Sequence, residues 1–221
     1  MPRIARLVVK GLPHHITQRG NYKQKVFSSK EDYNRYLYWF KEYQSKYDLA
    51  IAAFCLMPNH VHFIAIPNRE DSFAKTFNTS HMRYSQYFNK KHKVTGHLWQ
   101  GRFYSCPLDE RHLYEAVRYI ENNPVRASLV KDAVEWPFSS VRFHLRGERT
   151  IIPLVDMKEY LAIDNWGAYL KEISEQAVID KIKANTMTGR PSGSDSFISG
   201  LEKKFGMRLR PLPEGRPWRR K

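Results

Sequence analysis

The chain has 221 residues and carries 37 Lys+Arg against 22 Asp+Glu, a formal net charge of +15. That excess suits a polyanionic partner, while 42% hydrophobic and 14% aromatic residues are too many for a disordered basic tail. The length supports one full core plus an appendage.

Two cysteines, Cys55 and Cys106, lack CxxC or Cys/His spacing, which argues against zinc ribbons and disulfide scaffolds and reads as buried thiols in a reducing cytosol. Near the amino terminus the apolar run covers only Leu7 to Val9. No later segment reaches the roughly 18 uninterrupted apolar residues of a membrane span. A soluble cytoplasmic protein without a membrane partner is expected.

In chain order, Leu7 to Arg19 reads as a strand that breaks at Gly20-Asn21. Ser28 with Glu31 makes a capping-box pattern, and Tyr33, Tyr36, Leu37, Phe40 and Tyr47 follow at helical spacing. Ala50 to Leu56 and His60 to Ile66 read as adjacent strands joined by Met57-Pro58-Asn59. A second helix from Asp71 carries Phe73, Phe77, Tyr84 and Phe88 on one side, and a strand from Arg102 to Leu108 precedes a helix from Glu110 to Asn123. The order βαββαβ predicts an α+β fold, a ferredoxin-like antiparallel sheet with helices on one face and the other face available to nucleic acid.

Beyond Trp136-Pro137 the pattern is helical, and residues 156–185 hold six acids against four lysines. Positive charge concentrates at the ends: seven Lys/Arg and no acid in the first 30 residues, nine against three acids in the last 36. Residues 188–193 read as a hinge, Ser196 to Phe205 as a short helix, and Arg208 onward as an extended basic arm. Three units are expected: a catalytic or binding domain over 1–145, a helical extension over 146–187, and a basic DNA-binding arm over 188–221.

His60 and His62 stand two apart in a predicted strand, so both rings point from one face and can share an ion. Read alone, the pair fits satisfied sheet histidines better than a metal site. In the helix from Glu110, Leu113, Ala116, Val117 and Ile120 form the core stripe, with Tyr119 and Asn123 one above the other on its flank. Pro124 is expected to end the helix there. An amide oxygen at Asn123 would suit a hard cation such as Mg²⁺ or Mn²⁺.

The segments Met57-Pro-Asn-His-Val-His62, Trp99-Gln-Gly-Arg-Phe103, Tyr119-Ile-Glu-Asn-Asn-Pro-Val-Arg-Ala127 and Trp136-Pro-Phe-Ser-Ser140 occur together. In that order they resemble the single-tyrosine transposases of the HUH nuclease superfamily, and more narrowly the REP-associated tyrosine transposases, from about residue 2 to 145. The resemblance implies that His60 and His62 are metal ligands, that Tyr119 is the nucleophile, and that Asn123 takes the place of a polar third ligand, often glutamine. It further implies a divalent cofactor, Mg²⁺ or Mn²⁺, and a strand-cleaving and strand-transferring enzyme that forms a 5′-phosphotyrosyl bond on single-stranded DNA beside hairpins of repetitive extragenic palindromes.

A non-catalytic hairpin-binding regulator and an RNA-binding module are the competing readings. The carboxy-terminal segment is compatible with a monomer that uses its own tyrosine, a dimer being the other arrangement. Trp99, Arg102 and Phe103 are expected to clamp unpaired bases, Arg3, Arg6, Lys10 and Arg19 to grip phosphates, and Arg190, Arg208 and Arg210 to contribute from the arm.

Overall fold

The computed structural model describes residues 7–211. In chain order it contains β1 (His14–Arg19), α1 (Lys30–Lys46), β2 (Leu49–Met57), β3 (His60–Pro67), α2 (Ser72–His92), β4 (Tyr104–Pro107) and α3 (Glu110–Glu121). The shorter α4 (Asn123–Arg126), α5 (Val141–Arg146) and α6 (Trp166–Lys171) follow, then α7 (Gln176–Thr188) and α8 (Asp195–Phe205). The strands form one antiparallel sheet in the order β2-β3-β1-β4, the arrangement a βαββαβ chain adopts when its helices cross one face.

Alternation along β3 sorts the two layers. Val61, Phe63 and Ala65 enter the core beneath α1 and α2, where Phe63 packs between Phe40 at 4.5 Å and Phe77 at 5.4 Å. Burying such a ring stabilises by about 2 to 3 kcal/mol, and this aromatic layer fixes both helices on that face. The capping box that starts α1 is Ser29 with Asp32, one residue later than the sequence pattern suggests.

The opposite face is not open. Ile64, Ile66, Cys55 and Cys106 meet the predicted stripe Leu113, Ala116, Val117 and Ile120 of α3, and Ile179 and Ile182 of α7 complete the layer. An aliphatic sheet face cannot be left in water, and helices from later in the chain cover it. Both cysteines are free and buried; burial pushes the Cys106 thiol up to about 12 and Cys55 well above its ordinary value.

Later segments also pair with the sheet edges. Leu56 N–H donates to the Phe138 carbonyl at 2.8 Å and Ser140 N–H to that of Phe54 at 2.9 Å, so the Trp136-Pro-Phe-Ser-Ser140 segment lies along β2. Beside β4, Ser192 N–H donates to the Pro107 carbonyl at 2.9 Å and Leu108 bridges Ser192 in parallel. Within the expected hinge at 188–193, a left-handed Gly189 (φ 77°) closes α7 and the residues after it form a pinned connection. Beyond α8, Leu209 packs with Leu7, Val9 and Leu201. As far as residue 211, the expected arm is docked rather than extended.

No described helix is long and apolar enough to cross a membrane.

Candidate active site

The site lies on the sheet face covered by α3 and α7. Register places Thr17 opposite His62 and Arg19 opposite His60, so His15, Thr17 and Arg19 of β1 flank the two histidines of β3 on one surface. Gly20 ends β1 where a side chain would not fit: a Cβ there would lie 2.4 Å from the Gln24 carbonyl oxygen. His60 and His62 stand with ring centroids 4.8 Å apart, and the Tyr119 ring meets His62 edge-on at 5.8 Å. They share a cavity of about 310 Å³ with Arg19, Lys183 and Thr186.

Each histidine is neutral. Burial, helped by the Arg19 charge, pushes His60 down to about 4, and burial with the surrounding cations holds His62 well below its ordinary value. Asn59 Nδ2 donates to the Lys23 carbonyl at 3.2 Å, so its Oδ1 faces His60 Nδ1 at 2.6 Å and accepts that proton. His60 Nε2 then bears a lone pair. His62 Nε2 is buried without a hydrogen-bond partner. The His60 Nε2 lone pair and the unpartnered His62 Nε2, on one strand face, fit a divalent cation, although the described residues contain no cluster of three His, Cys, Asp or Glu.

Tyr119 projects from the last turn of α3, which is anchored by its neighbours. The buried Glu121 carboxylate accepts from the Ser140 hydroxyl, from His144 Nδ1 at 2.7 Å and from Trp166 Nε1 at 2.8 Å, while Asn122 Nδ2 donates to the Leu170 carbonyl at 2.8 Å. Pro124 does not end the helical path: Asn122 caps α3 and α4 begins at once, with the proline in its first turn, where a missing N–H costs nothing. Burial raises the Tyr119 pKa, and the Arg126 charge, the nearby Asn123 amide and the Arg19 charge oppose that shift. The Arg126 guanidinium lies 4.8 Å and the Lys183 ammonium 5.2 Å from the Tyr119 ring centroid. Tyr119, Arg19 and Lys183 therefore line one cavity of cationic character.

Of the sequence-predicted residues, His60, His62, Tyr119 and Arg19 come together in this cavity. Asn123 does not line it; its amide lies near Tyr119, and Nδ2 is buried without a hydrogen-bond partner. Trp99 and Phe103 are corrected: both are buried in the core beside α2, where Trp99 stacks on His81 at 4.5 Å, so neither ring offers a face to a base.

Arg102 borders a separate groove of about 720 Å³ between α2 and residues 96–102. Lys10 is exposed ahead of β1, next to the far end of β3, where Gly11 N–H donates to the Pro67 carbonyl at 2.9 Å. Arg190 follows α7, Arg208 is exposed, and Arg210 is held by Glu202 and Asp195 rather than free for phosphate. Arg3 and Arg6 lie outside the described residues.

Sequence reasoning missed His15, Lys183 and Thr186. His15 alternates with Thr17 and Arg19 in a strand, a usable signal once pairing with β3 is known; Lys183 and Thr186 gave none, because α7 joins the site only through tertiary packing. Arg126 stood within the Tyr119–Ala127 motif.

The profile of the family described as "Transposase IS200 like" matches residues 8–123, more than half of the chain. The chain belongs to the IS200-like transposase family. A Haemophilus influenzae protein provisionally named a REP-associated tyrosine transposase is 29% identical over 140 residues, spanning 58% of this chain and 72% of that protein. The REP-associated tyrosine transposase of Escherichia coli is 30% identical over 109 residues, 47% of this chain and 60% of its own length. The solved structure of a REP-associated tyrosine transposase bound to a REP hairpin superposes with a TM-score of 0.53 at 22% identity, over 74% of this chain and 96% of that one, a likeness of fold. The α+β architecture and membership of an enzyme family thus agree with the sequence reading. Helix α7, with Lys183 and Thr186, lies beyond the matched segment.

Proposed function

We propose that this IS200-like transposase is a divalent-metal-dependent endonuclease and strand transferase for single-stranded DNA at palindromic hairpins. The observation that carries the reading is the convergence of the His60 Nε2 lone pair and the unpartnered His62 Nε2 with the Tyr119 side chain in one cation-lined cavity. His60 and His62 would hold Mg²⁺ or Mn²⁺, with the Asn123 amide beside Tyr119 as the third donor. The ion supplies Lewis-acid polarisation of the scissile phosphate.

Within the chain, Arg19, Arg126 and Lys183 attract and orient the phosphodiester and offset its charge. The Tyr119 oxygen bonds to phosphorus as the P–O3′ bond breaks, the phenol gives up its proton, and the departing oxygen takes one up as a 3′-hydroxyl. The resulting 5′-phosphotyrosyl ester retains the phosphodiester energy, so reversal on a second 3′-hydroxyl rejoins strands without ATP. The REP hairpin as substrate follows from the relatives' names.

With Mn²⁺ and a labelled single-stranded palindrome bearing an unpaired flank, the wild type should give a DNA adduct that survives denaturation, and Tyr119→Phe should give none. The same sequence annealed to its full complement should remain uncut. Tight hairpin binding with no adduct from the wild type would favour the non-catalytic regulator, and normal adduct from Tyr119→Phe would remove Tyr119 from the chemistry.

A further inference from the structure

A chain of hydrogen bonds runs from the backbone of α7 to His62, and its direction is determined at one end. The Thr186 hydroxyl donates to the Ile182 carbonyl at 2.7 Å, since a carbonyl oxygen only accepts. Toward His15 the Thr186 oxygen is therefore an acceptor, and His15 Nδ1, 2.8 Å away, carries the proton. His15 is 1% exposed and its two ring nitrogens face Thr186 and His62, neither of them a carboxylate that could support a buried charge, so the ring is neutral and has a single N–H. Its Nε2 must accept. The partner at 2.9 Å is His62 Nδ1, which must then donate, and the buried His62 ring keeps its single proton there. What remains is His62 Nε2, buried, bare and unpartnered.

We propose that Thr186 and His15 are positioning residues that lock His62 in its Nδ1–H tautomer and so present Nε2 as a lone-pair donor to a divalent cation. A histidine without such a partner can place its proton on Nε2 and lose the ability to ligate. The chain originates in α7, so a helix outside the family-matched segment sets the protonation pattern of a residue inside it. The role toward the cation rests on the metal-dependent reading above; the tautomer does not.

The test uses the full-length, metal-free protein with ¹⁵N-labelled histidine near neutral pH, read by long-range ¹H–¹⁵N correlation, together with Mn²⁺ binding in the absence of DNA. In the wild type and in Thr186→Ser, His62 should be protonated on Nδ1. In Thr186→Val, nearly isosteric but unable to accept from His15, the two tautomers should mix and the Mn²⁺ dissociation constant should rise by about 10-fold or more, while Thr186→Ser stays within about twofold of wild type. His15→Gln, whose amide oxygen can accept from Nδ1–H, should retain more of the Nδ1–H form than His15→Ala.

A wild-type His62 protonated on Nε2, or a Thr186→Val protein with unchanged tautomer, would overturn the assignment. A tautomer that shifts as described without any change in Mn²⁺ affinity, or in a wild type that binds no Mn²⁺, overturns the role toward the cation. A normal tautomer and Mn²⁺ response in a protein that forms no Tyr119 adduct counts against strand transfer alone.

Discussion

The two histidines of the H-x-H segment occupy one strand face but different environments, and the difference separates their mutants. His60 is half-buried and its Nδ1 is served by Asn59, whereas His62 is 5% exposed and donates into the buried His15 chain. His60→Ala should cut adduct formation by about 100-fold or more with little change in thermal stability. His62→Ala should lose activity similarly and also cost about 1 to 3 kcal/mol, because His15 Nε2 is left without its donor in a dry site. Denaturant unfolding of both variants checks the contrast; equal stability would mean that the His15 to His62 bond contributes nothing to the fold.

At the level of elements, the placement of Tyr119 depends on how the end of α3 is held. Glu121 takes three donors from segments around residues 140, 144 and 166, so one carboxylate ties the tyrosine-bearing helix to the extension. Glu121→Ala would strand those donors in the interior, and a loss of about 2 to 4 kcal/mol with a matching fall in adduct yield per folded molecule is expected. A variant as stable as wild type in calorimetry would contradict this account. Local signals were good guides to these elements: the α3 stripe, the paired strands β2 and β3, and a second helix from about Asp71 all follow from period and turn residues, although Asp71 makes no side-chain cap bond to α2. The helical character expected beyond Trp136-Pro137 is present in α5, α6 and α7, but the part that residues 156–185 take in the site has no local signature.

Across the whole molecule, buried neutral histidines set the response to acid. Burial lowers His14 to about 4, and His15 and His81 to about 3, from an ordinary 6.5. Because the folded values lie below the unfolded ones, the unfolded chain binds more protons once the pH falls under 6.5. Stability should therefore be flat above that point, decline steadily as the pH drops, and level off only below about 3 as far as these groups are concerned. Melting temperatures measured across that window check the sign; a rise in stability on acidification would show that the histidines are charged in the fold. His81→Ala should flatten part of the slope, while breaking the Tyr36 to His81 to Gln18 chain that joins α1, α2 and β1.

By itself the sequence determined the basic character, the βαββαβ order and sheet class, the pairing of His60 with His62 on one face, and the alignment of Tyr119 with Asn123. These properties depend on composition, on periods of 2 and 3.6, and on motifs whose members are close along the chain. Only the tertiary structure decided that the second sheet face is covered, that Trp99 and Phe103 are core rather than clamp, and that α7 brings Lys183 and Thr186 to the site. An aromatic in a basic loop has the same local pattern whether it faces solvent or the interior. Nor does any sequence period report that His15 and Thr186, 171 positions apart, share a hydrogen bond, because such contacts come from burying an apolar helix face on the sheet.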